Sequence, residues 1–171
     1  SSLEDILIPE SMTSIGEGAF KGCSKLKQII IPLSVTSIGI GAFAFCSSLK
    51  YITIPYITSI SSYLFAYCSS LERISIPLSV VSIGNCAFDS CTELKQITIP
   101  SSIKVIGEYA FYNCSHLAQI LIPPFVKSIG DCAFKSCLSL EKVSILSSEI
   151  MMGKDVFSQC FLLKDYKSIP R

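Results

Sequence analysis

Phenylalanine recurs at residues 20, 43, 65, 88, 111, 134 and 157, every 23 residues apart from a single step of 22. Cysteine keeps the same period three residues further on, at 23, 46, 68, 91, 114, 137 and 160. Leucine follows after another three, at 26, 49, 71, 94, 117, 140 and 163, and proline marks 9, 32, 55, 77, 100 and 123. Four markers in register leave chance no role. A period of this length makes each copy one supersecondary unit that stacks on the next, which constrains the fold more than any other feature of the chain.

A single unit translates into local structure. Leu49, Ile52 and Ile54 are spaced as a short strand with one buried face. Pro55 closes it, because proline has no N–H to offer a ladder. In the unit before, a polar turn leads into the β-prone piece Val35-Thr36-Ser37-Ile38. Gly39 follows, where a turn with positive φ is expected. Ala42-Phe43-x-x-Cys46 has helical spacing over one turn, room for a 3-10 turn or a helical stub and no more.

Composition agrees with many small pieces buried against one another. Half of the 171 residues are hydrophobic and 16% are charged, with a mean hydropathy of +0.55. Yet no apolar run reaches the ~20 residues that a membrane helix needs. No unit buries enough on its own to offset the entropy of ordering it, so stability comes from stacking neighbours. Eight strands, counting one at 3–8, give a slab about 35 Å long at ~4.8 Å per strand. Residues 1–171 are read as a single solenoid of about seven 23-residue units. The chain lacks an initiator Met and starts partway through the pattern, so a piece of a longer protein is expected.

The consensus Leu-x-x-Ile-x-Ile-Pro-x-x-Val-x-x-Ile-Gly-x-x-Ala-Phe-x-x-Cys resembles the BspA-like leucine-rich repeats, most tightly over residues 31–55 and 99–123. The resemblance implies a leucine-rich-repeat solenoid. Short parallel β-strands would line its concave face, with turns, 3-10 or helical stubs and short second strands on the convex side. It also implies a surface adhesin that contacts host matrix proteins or other cells. Two units depart from the pattern. The third, at 55–68, drops one turn residue and carries Ser61 for Gly and Leu64 for Ala, so a local distortion is expected there. The last has Met152 in place of Ile and exposes Phe161 and Leu162 at usually polar positions, as on approach to a cap. An uncapped first unit points to more protein upstream or to end-to-end association.

Several function classes find no support. Fourteen basic residues against thirteen acidic ones leave +1, with no basic footprint for nucleic acid or an anionic membrane. Seven of the nine cysteines occupy one repeat position, which reads as a ladder of small buried hydrophobes. Cys86 and Cys132 are extra, and read as partly exposed thiols on a turn. With no C-x-x-C and no C-x-x-H, no metal site is expected. The lone histidine, His116, falls in a polar loop, and no serine has a nucleophile-elbow context. No enzyme and no cofactor is expected. Asn113-Cys114-Ser115 fits an N-glycosylation sequon by sequence alone.

Two faces are candidates for binding a protein or glycan. The outward strand positions form a concave strip, whose middle row runs Asp5, Gln28, Tyr51, Arg73, Gln96, Gln119, Lys142, Asp165. Lys50 and Lys95 belong to the row before it. Tyr and Arg near the centre suit a hot spot. On the convex side, Phe45, Tyr63 and Tyr67 come from adjacent units and form one aromatic patch. Two functions follow: a binding or adhesion module at the cell surface or secreted, or an intracellular scaffold in the cytoplasm that uses the array for assembly.

Overall fold

Two short strands per coil, joined by turns, build the whole molecule. The computed structural model describes residues 6–164 and 166–168. Along it run β1 (Ser14–Ile15), β2 (Gln28–Ile30), β3 (Ser37–Ile38), β4 (Tyr51–Thr53), β5 (Ser59–Ile60), β6 (Arg73–Ser75) and β7 (Ser82–Ile83). They continue as β8 (Gln96–Thr98), β9 (Val105–Ile106), β10 (Gln119–Ile122), β11 (Ser128–Ile129), β12 (Lys142–Ile145), β13 (Met151–Met152) and β14 (Tyr166–Ser168). Every pairing is parallel and one coil apart: Gln28 faces Tyr51, Arg73 faces Gln96, and Gln119 faces Lys142. The even-numbered strands form the concave ladder, ordered β2-β4-β6-β8 and β10-β12-β14. In β2, β4, β6 and β8 the central isoleucine is buried and its neighbours are exposed, as the two-residue period demands.

The repeat markers build the interior. Phe43, Phe65, Phe88, Phe111 and Phe134 are fully buried, and so are Leu26, Leu49, Leu71, Leu94, Leu117 and Leu140. The rings from Phe20 to Phe157 stack in one column, with centroids 5.0–5.9 Å apart. Each buried ring contributes ~1.5–3 kcal/mol of transfer energy, and its offset contact with the next adds about 0.5–1.5 kcal/mol.

The second ladder splits where a residue is missing. The odd-numbered strands form β1-β3 and, separately, β5 through β13, with the break between β3 and β5. This is the third unit, where the distortion was expected. The Phe43–Phe65 spacing of 5.9 Å is the widest in the column. Elsewhere the glycine N–H bridges this seam, as Gly39 N–H to the Ile15 carbonyl and Gly84 N–H to the Ile60 carbonyl, both at 2.8 Å. At the break the Ser61 hydroxyl donates to the Ile38 carbonyl.

Two expectations are corrected. The Ala-Phe-x-x-Cys segment is neither a 3-10 nor an α-helical stub; among the described residues there is no helix. Local bonds such as Ala44 N–H to Gly41 C=O alternate with bonds to the next coil, such as Phe43 N–H to Leu64 C=O and Phe45 N–H to Ala66 C=O. Left-handed residues two before and two after each phenylalanine turn alternate N–H groups sideways, and a helix cannot propagate through them. The Ile-Gly glycine, in turn, is not placed for positive φ. A Cβ on Gly39 would sit 2.5 Å from the Glu17 nitrogen, and one on Gly84 2.6 Å from that of Ser62. Glycine is required there so that backbones of adjacent coils can touch.

Candidate functional site

The concave strands hold their outward side chains over an open trough of about 410 Å³. Gln28, Tyr51, Arg73 and Gln96 line it, one per strand, with Ile30, Thr53, Ser75 and Thr98 beside them. A second trough continues over β8, β10 and β12, lined by Gln96, Gln119 and Lys142. The predicted middle row is therefore brought together as one surface; Asp5 and Asp165 lie outside the described residues. Lys50 and Lys95 are exposed but do not line the trough. Lys50 Nζ stands 3.6 Å from Glu72 Oε1, and the Tyr51 hydroxyl donates to Glu72 Oε2 at 3.5 Å. These long, exposed contacts orient the tyrosine without contributing much stability.

The surface is chemically mixed. Glutamine amides both donate and accept, Arg73 offers five N–H donors, and Tyr51, 47% exposed, adds an aromatic face. Ile30 at 78% exposure supplies an apolar end. Such a set offers hydrogen-bond donors, acceptors and apolar area spread along one surface. His116 sits in its loop as expected, its Nδ1 2.6 Å from the Thr92 carbonyl and 3.7 Å from Glu93. Among the described residues no group of three or more histidine, cysteine or acidic side chains is placed to hold a metal ion. Among them, too, no helix is long and apolar enough to cross a membrane.

The convex aromatics also meet. Phe45 and Tyr67 stack with centroids 4.7 Å apart and planes within 2°, and both share a cleft with Tyr63. All three are close to half exposed.

The thiols do more than the small-hydrophobe reading allowed. Cys46, Cys68, Cys91, Cys114, Cys137 and Cys160 each donate to the phenylalanine carbonyl of the preceding coil, at 3.1–3.2 Å. Burial pushes the Cys46 thiol up to about 12 and lifts Cys68, Cys91 and Cys114 well above the usual thiol range. Cys86 is partly exposed, as expected, but Cys132 is buried at 7%. Tyr109 stands beside it on the coil before, and the neighbouring thiol pushes the tyrosine's ionisation up. Asn113 sits in a left-handed turn with its amide donating to Ser90 Oγ at 3.3 Å, a structural use of the sequon residue. A seam of thiol-to-carbonyl bonds has no periodic signature beyond the cysteine column itself. The left-handed positions leave no column either: Gly18, Gly22 and Gly41 fall on them, but the other eleven are not glycine.

Parallel strands on one face, a phenylalanine column and turn-built backs define a leucine-rich-repeat solenoid. The chain belongs to the BspA type leucine rich repeat family, whose model matches it in six copies over residues 1–80 and 58–169. It is similar to a leucine-rich repeat protein from Bacteroides ovatus ATCC 8483, at 34% identity and a TM-score of 0.91, over 96% of this chain and 43% of that one. A leucine rich repeat protein from T. pallidum shares 35% identity at a TM-score of 0.85, over 90% of this chain and 72% of that one. A leucine rich cell surface protein from Faecalibacterium prausnitzii A2-165 shares 28% identity at a TM-score of 0.57, over 94% of this chain and 59% of that one. The chain thus spans less than half the length of the Bacteroides protein. No functionally curated protein matches it in sequence.

Proposed function

We propose that this chain is a non-catalytic binding module that presents its concave trough to a protein partner at a cell surface. One observation carries the reading. The row Gln28, Tyr51, Arg73, Gln96 and Gln119 is exposed on every concave strand from β2 to β10, while coil stacking is carried by other columns. These side chains are spare from the standpoint of the fold, and they form one continuous surface. Tyr51 and Arg73 lie opposite each other's neighbourhood on β4 and β6, near the middle of the strip, where hot spots concentrate. The similar cell-surface protein from Faecalibacterium supports the location, and an extracellular matrix protein is the partner that the resemblance of the repeat implies.

The test is binding of the chain to immobilised fibronectin, laminin, fibrinogen and collagen. Binding to at least one is expected, and Arg73→Ala and Tyr51→Ala should each weaken it at least tenfold, about 1.4 kcal/mol, with unchanged melting midpoints. Failure to bind any of the four, or binding that survives both substitutions, overturns the proposal.

A further inference from the structure

Positive charge gathers on one stretch of the concave face. On β6, and just before β2, β4 and β8, stand Arg73, Lys27, Lys50 and Lys95, all exposed, against the single carboxylate of Glu72. The chain's net charge of +1 hides this bias, because Glu17, Asp89, Glu108 and Asp131 lie on the turns that follow β1, β7, β9 and β11. Glu72 is already engaged by Lys50 and by the Tyr51 hydroxyl. Among the described residues no carboxylate pairs with Arg73 or Lys95.

The other end of the same strands is apolar. Ile30 closes β2 pointing outward. The residues after the repeat proline on three adjacent coils, Leu33, Tyr56 and Leu78, are 70–72% exposed. Equivalent positions on stacked coils stand ~4.8 Å apart, so these three form one ridge along the turns that leave β2, β4 and β6. The trough row of Gln28, Tyr51, Arg73 and Gln96 runs between the cationic margin and this ridge.

We infer, on the reading that this trough is the binding face, that its partner offers an extended peptide segment with acidic residues at one end and apolar residues at the other. The segment crosses the trough, its carboxylates on Arg73 and Lys95 and its apolar side chains on the ridge of Leu33, Tyr56 and Leu78. A guanidinium takes a carboxylate through two parallel hydrogen bonds. A glutamine amide carries the donor and acceptor of a peptide unit, so Gln28 and Gln96 match the backbone of an extended chain between the two ends. From 27 to 33 the backbone covers at most about 20 Å, a length that about six extended residues span. An anionic glycan would meet the cations but leave the apolar ridge in water, which favours the peptide.

The experiment is fluorescence anisotropy of the chain with a labelled peptide of three glutamates, Gly-Ser and three leucines. Counterparts carry glutamine for glutamate or serine for leucine, and a heparin hexasaccharide serves as the glycan arm. The acidic and apolar peptide should bind saturably, at least tenfold more tightly than either counterpart, and more weakly as salt rises. Arg73→Gln should weaken it at least fivefold, and Leu33→Ser with Leu78→Ser at least threefold. Glu72→Gln should strengthen it at least twofold by releasing Lys50. All four positions face solvent, so melting midpoints should not move. No saturable binding, equal binding of the glutamine counterpart, or tighter binding of heparin that survives loss of both leucines would each overturn the inference. Matrix-protein binding that depends on Arg73 and Tyr51 but is not competed by the peptide would overturn this inference and leave the proposed function standing. Peptide binding with no matrix protein bound would do the reverse.

Discussion

At the seams held by Cys46, Cys68, Cys91 and Cys114 a thiol ties two coils together, and burial suppresses its ionisation. The sulfur is buried, its proton is shared with the phenylalanine carbonyl one coil back, and its ionisation is pushed far up by loss of water. The sequence column showed that the cysteines point inward, but not that they donate, since a donor and a small hydrophobe leave the same trace in a repeat. A pH dependence follows. Unfolded, such thiols ionise near 9.0, whereas in the fold Cys46 holds its proton to about 12. Between those values the folded chain binds more protons than the unfolded one, so stability is complete below 9 and falls as pH rises. Each fully buried thiol steepens the fall by about 1.4 kcal/mol per pH unit. Urea midpoints measured from pH 8 to 11 should decline accordingly, and Cys91→Ala should decline less steeply from a lower start. A flat profile would contradict the buried, protonated ladder.

At the scale of the element, the third coil shows what one deleted residue does. Its shortened turn was visible in the sequence as a step of 22 and as Ser61 in a glycine column. What could not be read there is the form of the response: the second ladder stops between β3 and β5, and a hydroxyl bridges the gap. The helical stub was misread for a related reason. Ala-Phe-x-x-Cys has the spacing of a helical turn, and the left-handed residues that prevent one are of too many kinds to form a visible column. Amide exchange tests the broken seam. Ser59 and Ile60 should exchange faster than Ser82 and Ile83, which pair on both sides in an unbroken ladder. Equal protection would mean that the ladder continues through the third coil in solution.

At the scale of the whole molecule, the solenoid separates two tasks that globular domains mix. Columns repeated in every coil fill the interior, and rows that vary face solvent on the concave and convex sides. The interior was almost wholly legible, because Phe, Cys, Leu and Ile recur at fixed register and each falls where packing requires it. The concave row was legible by elimination, as the positions that stacking leaves unused. The convex cleft was only half legible: its aromatics stood out, but Gly18 and Gly41, which line it, read as ordinary turn residues. The division of labour is tested most directly by chemical denaturation of Phe88→Ala beside Tyr51→Ala. Phe88 is fully buried mid-column, and its truncation should remove ~3–5 kcal/mol. Tyr51 is 47% exposed, and its truncation should change stability by no more than ~0.5 kcal/mol. Comparable losses from the two would contradict the assignment of repeated residues to the interior and variable ones to the binding surface.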